Sequence, residues 1–203
     1  MTNKKIRQYI SLIAAVLTYY LIHEGAHLIT ALCMGVFKEI KFLRLGMQVD
    51  VAAAQMTDLQ MDIFCLAGAV CTLIAAVLLT LLAPNICRIE SKTVKAAFYY
   101  ITMVMLLLDP LYLSVLCSFF GGGDMNGIRL LLPEIIARIV FGALFIVGLT
   151  VLSSEYCRYI KQHLPIITPY DKFLPRSESR IFLVPGGAFL RFMGYINLTL
   201  QRL

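Results

Sequence analysis

The chain has 203 residues, 60% apolar and 15% charged, with a net charge of +6 and a mean hydropathy of +0.81. Soluble domains run at about 45–50% apolar and about 25% charged, and one small core could not hide this much apolar surface. Disordered, collagen-like and disulfide-scaffold classes are excluded, and the composition predicts an all-α integral membrane protein of about four to five transmembrane helices, each needing about 20 apolar residues. The Lys and Arg residues lie at the ends of apolar runs and in the tail, where they face lipid headgroups. The expected surroundings are therefore the lipid bilayer, and nucleic acid is not expected. The six cysteines form no CxxC pair and read as buried apolar thiols.

The first apolar run, residues 9–35, follows Lys4, Lys5 and Arg7 and carries one formal charge, Glu24. It is too long for the 7–15 residues of a signal-peptide core, so it is expected to be a retained span. In residues 38–51, apolar and polar positions alternate on both sides of Gly46, a period-two pattern that predicts a short membrane-associated β-hairpin. The alternative is a structured interfacial loop. The second run, 63–87, is uncharged. It places Gly68 within Leu66-Ala67-Gly68-Ala69, where small residues allow close helix approach, and Pro84-Asn85 mark its end.

The third run, 96–123, contains only Asp109 and stops in Gly121-Gly122-Gly123; the fourth, 135–154, has Arg138 near one end. Past Pro165 the chain is basic and punctuated by prolines, and reads either as an amphipathic segment on the membrane surface or as a free tail. The expected division is a membrane core over 1–165 and a basic cytoplasmic or membrane-surface tail over 166–203. The distribution of Lys and Arg predicts a multi-pass cell-membrane protein with both termini cytoplasmic.

Within the first run stands His23-Glu24-Gly25-Ala26-His27, the pattern H-E-x-x-H. Residues four apart share a helix face, so the two imidazoles can grip one metal ion, Zn²⁺ being the natural choice. Glu24 is placed to act as general base toward water activated by the metal. With three histidines in the chain, a shuffled sequence shows the pattern about once in a thousand trials. Its setting in an apolar run, where each ionisable group costs at least about 2.5–3.5 kcal/mol, argues further against accident.

A catalytic zinc site needs a third protein ligand. His163 follows the fourth run beside a proline and reads as solvent-facing. Asp109 lies deep in the third run, and Pro110 after it allows a local helix break. Asp124 follows three glycines, which allow an inward turn from which a new helix could start. The residues alone leave both aspartates open.

An H-E-x-x-H in the first transmembrane helix with a distant Asp in a later broken segment resembles the site-2 protease family of intramembrane zinc metalloproteases. The resemblance covers roughly residues 9–130. The hairpin segment 38–51 and Ala67-Gly68 match further family features, weak alone and supportive in this order. It implies His23 and His27 as zinc ligands, Glu24 as catalytic base and Asp124 as third ligand, with Asp109 the alternative. Ala26 stands where the family usually has Gly, and Asp124-Met125-Asn126-Gly127 where it has Asp-Gly.

The implied activity is hydrolysis of peptide bonds in membrane-embedded substrate proteins. The hairpin could help to unwind the substrate by pairing with it as an added strand. The rival expectations are a catalytically inactive metal-binding membrane regulator and a metal or proton transporter. Transporters usually show more spans and internal repeats.

Overall fold

In a computed structural model, residues 3–43, 46–120 and 123–153 are described, and they are mostly helical. The predicted tail, its boundary at 165/166, Cys157 and His163 lie outside the described residues. Helix α1 spans Asn3–Cys33, α2 Asp58–Leu81, α4 Lys92–Ser114 and α6 Glu134–Ser153, and all four are long and apolar enough to cross a membrane. Two one-turn helices join them: α3 (Ala83–Ile86), and α5 (Met125–Ile128) after a 3₁₀ turn at Leu116–Ser118.

The predicted hairpin is present as β1 (Phe37–Leu43) and β2 (Gly46–Val51), paired antiparallel with Leu43 opposite Gly46 and an irregularity between Phe37 and Glu39. It is anchored to the end of α1. Gly35 adopts a left-handed φ of 69°, its N–H bonds the Leu32 carbonyl, and the Val36 N–H bonds that of Ala31. This double closure of a helix end needs a residue without Cβ strain at the left-handed position. The Ala52 N–H then bonds the Val36 carbonyl at 2.8 Å, closing the hairpin base and carrying buried Val49 into the bundle.

Capping and packing explain the helix boundaries. Thr57 and Gln60 exchange side-chain and main-chain hydrogen bonds at the start of α2, which satisfies two orphan donors. The Ser91 hydroxyl accepts from the Val94 N–H at the start of α4. Pro84, expected to end the second run, sits in the first turn of α3, where its missing N–H costs nothing.

The break expected at Asp109-Pro110 does not occur. Helix α4 continues through Pro110 to Ser114, and the chain leaves helical geometry only at Val115. Tertiary packing overrides the local preference. Pro110 has no N–H for the Leu106 carbonyl one turn back, and α6 closes onto that turn at Gly148, where a Cβ would stand 3.1 Å from the same carbonyl.

Helix α4 is central, packing against α1, α2 and α6. Two apolar layers fill the bundle. One gathers Tyr19, Ala76, Met105, Leu106, Phe145 and neighbours. The other gathers Ala31, Val49, Phe64, Leu113, Ile128, Phe141 and neighbours on the hairpin side. Between them lies a thin polar layer in which Tyr19, His23, His27, Thr72 and Asp109 are all buried.

Candidate metal centre

Helix geometry sets the depth of this layer. His27 and His23 lie six and ten residues before the end of α1, which at 1.5 Å per residue is about 9 and 15 Å from its hairpin-side end. Their one-face spacing brings Nε2 of His23 and Nε2 of His27 to 3.2 Å from each other.

Asp124 completes the group. It occupies the N-cap position of α5 but makes no capping bond with its side chain. Its Oδ2 instead lies 3.4 Å from His23 Nε2 and 3.6 Å from His27 Nε2. Two glycines permit this placement. Gly123 has a left-handed φ of 46°, and a Cβ there would strike the Tyr112 hydroxyl. Gly127 lets α5 lie against α2, since its Cβ would meet Cys65 Sγ and stand 3.1 Å from the Met61 carbonyl. Among the described residues, His23, His27 and Asp124 are the group whose ligand atoms converge closely enough to hold a metal ion.

The remaining imidazole nitrogens are engaged elsewhere. His27 Nδ1 lies 2.8 Å from the Phe64 carbonyl. A carbonyl only accepts, so Nδ1 carries a proton, and in the neutral ring Nε2 is the nitrogen left with a lone pair. His23 Nδ1 lies 3.3 and 3.4 Å from the two carboxylate oxygens of Asp109. Asp109 is therefore not among the converging ligands; it faces the opposite nitrogen of His23. Its carboxylate also accepts the Tyr19 hydroxyl at 2.5 Å and the hydroxyl of Thr72.

Burial alone would push the Asp124 carboxyl up, but the hydrogen bonds and charges of His23 and His27 reverse this and hold it down at about 2. When the two Nε2 atoms carry no proton, three electron-rich atoms face one another at 3.2–3.6 Å. A metal ion between them, or protons on the two Nε2 atoms, offsets that repulsion. The separations suit a small tetrahedral ion: bonds of about 2.0–2.1 Å place donors about 3.3–3.4 Å apart.

Glu24 lies next to His23 on α1 and is half-buried. It interacts electrostatically with His23, His27 and Asp124, so it borders the same centre without being one of the converging ligands. Gly68 of α2 provides the space. A Cβ at this position would stand 2.6 Å from His23 Cε1 and from His27 Nε2, so α2 can pass behind both rings only because residue 68 has no side chain.

Sequence reading missed Tyr19 and Thr72 as partners of the site. A signal was present for each. Tyr19 precedes His23 by four residues and so shares its helix face, and Thr72 stands four residues after Gly68 on the face that meets the rings.

Comparison of the chain with protein-family models, with curated proteins and with solved structures finds no match.

Proposed function

We propose that this chain is an intramembrane zinc metalloprotease of the site-2 protease type, a zinc metalloendopeptidase that hydrolyses peptide bonds of membrane-embedded substrate proteins in a cell membrane. The observation that carries the reading is the convergence of His23 Nε2, His27 Nε2 and Asp124 Oδ2 with Glu24 beside them. Two imidazoles and one carboxylate are a donor set suited to zinc, with one position left for a reactant. Zinc so held acidifies water and polarises a carbonyl.

The chain's own residues do the rest. Glu24 takes the proton of the attacking water on its carboxylate, then delivers it to the leaving amine nitrogen as the C–N bond breaks. The apolar layers on either side keep bulk water away and strengthen each electrostatic interaction at the centre. The hairpin gives an extended substrate segment a strand to pair with, which suits a peptide that must leave helical geometry before its carbonyl is accessible.

The test is metal content together with cleavage of a fluorescent transmembrane peptide in liposomes. Wild type is expected to hold about one zinc per chain, lost in His23→Ala and Asp124→Ala. Glu24→Gln is expected to keep the metal and lose cleavage. Zinc with no cleavage in wild type would move the protein to a metal-binding regulator. No zinc, and no uptake on addition, would refute the metalloprotease reading.

A further inference from the structure

The two histidines of the candidate centre are held by different means. His27 is fixed by a main-chain carbonyl, that of Phe64. The same helical residue is needed by α2 whatever its side chain. His23 Nδ1 meets side chains instead, Tyr19 of its own helix and Asp109 of α4, and Thr72 of α2 holds Asp109 in turn.

We propose that Asp109, Tyr19 and Thr72 form a clamp on the Nδ1 side of His23 that sets the angle of the ring and keeps its proton on Nδ1, leaving Nε2 as a free lone pair toward His27 and Asp124. Asp109 is then a positioning residue for the centre. This inference rests on the metal reading of the site and is independent of whether the protein cleaves peptides.

Asp109 is 2% exposed and sits between two apolar layers, where an unpaired carboxylate would be very costly. It is satisfied by donors only. The Tyr19 hydroxyl has one proton and gives it to Oδ1 at 2.5 Å. Thr72 has carbonyls of its own helix at 3.0 and 3.1 Å, yet its hydroxyl approaches Oδ2 of Asp109 more closely than either.

With both hydroxyl protons committed, the remaining donor within reach of Asp109 is His23 Nδ1, almost equidistant from the two oxygens. The Tyr19 ring also stacks on the imidazole, with centroids 5.3 Å apart and planes 29° from parallel, which limits its rotation. A proton on Nε2 would point into the converging ligand group and occupy the lone pair that a metal needs. The negative charge of Asp109 also makes the opposite nitrogen a better donor to a cation than a carbonyl partner would.

The clamp can be tested without any activity assay. The metal-free protein, ¹⁵N-labelled at histidine in detergent micelles at mildly alkaline pH, reports which ring nitrogen carries the proton. Titration with Co²⁺ then reports affinity and ligand geometry through its visible absorption. Wild type is expected to show His23 protonated on Nδ1. Asp109→Asn offers an amide N–H where an acceptor stood. It is expected to move the His23 proton toward Nε2, lower Co²⁺ affinity by about 10–100-fold and alter the cobalt spectrum.

An Asp109→Asn protein with wild-type tautomer and Co²⁺ affinity within about twofold of wild type would overturn the proposal, as would a wild-type His23 protonated on Nε2. Should Asp109→Asn fail to fold, Tyr19→Phe with Thr72→Val decides in the same way: weakened Co²⁺ binding supports the clamp and unchanged binding refutes it. A wild type that takes up no Co²⁺ would refute the metal reading, and the ¹⁵N measurement would still judge the clamp.

Discussion

Gly68→Ala adds a single methyl group, and its expected effect follows from three distances. The new Cβ would stand 2.6 Å from His23 Cε1, 2.6 Å from His27 Nε2 and 2.8 Å from His23 Nδ1, whereas ordinary contact begins at 3.4 Å. Either the rings retreat by about 0.8 Å or α2 moves away. A ligand atom tolerates about 0.2 Å, so the ligand set spreads beyond what one ion can bridge. The expected loss in zinc or cobalt affinity is about 10–100-fold, about 1.4–2.7 kcal/mol.

The direction of the stability change is equally diagnostic. Replacing a glycine by alanine inside a helix ordinarily gains about 0.8–1 kcal/mol, while overpacking costs about 1–3 kcal/mol. The metal-free variant should therefore be unchanged or destabilised by up to about 2 kcal/mol. Gly142→Ala in α6 is the control: its Cβ would meet only Ser114 Cβ at 3.8 Å, so it should bind metal as wild type does and be no less stable. Equilibrium Co²⁺ titration and thermal unfolding in one detergent measure both effects. A folded Gly68→Ala protein with wild-type metal affinity would refute the close approach of α2 to the two imidazoles.

Asp124→Ala should abolish stoichiometric metal binding, whereas Asp109→Asn should only weaken it; equal losses in a metal titration would contradict the different nitrogens that the two aspartates face. Glu24→Gln should retain one metal per chain while cleavage of a transmembrane peptide falls by at least about 100-fold. Cleavage at the wild-type rate would remove Glu24 from the base role. Gly127→Ala should drive α5 from α2 through the clash with Cys65 and carry Asp124 away from the histidines. A milder metal defect in the Gly127→Ala/Cys65→Ala pair than in Gly127→Ala alone, read by Co²⁺ titration, would bear this out, and additive effects would not.

Much of this architecture is written in local patterns. Long apolar runs forced the four spanning helices, because backbone polar groups in lipid must be satisfied within their own segment. Alternation around Gly46 specified the hairpin, because side chains of a strand point to opposite faces in turn. The four-residue spacing of His23 and His27 put two imidazoles on one face before any tertiary contact existed.

What only the packed bundle decided is the use of residues far apart in the chain. Asp109 and Asp124 are both ionisable groups in or beside an apolar run, and nothing periodic distinguishes them. The continuous helix through Pro110 carries Asp109 to Nδ1 of His23, and the turn at Gly123 carries Asp124 to Nε2. Gly68 was visible as a small residue, yet that its missing side chain clears both rings depends on where α2 crosses α1. Such choices rest on distances between elements set by close packing, which no spacing along one chain segment encodes.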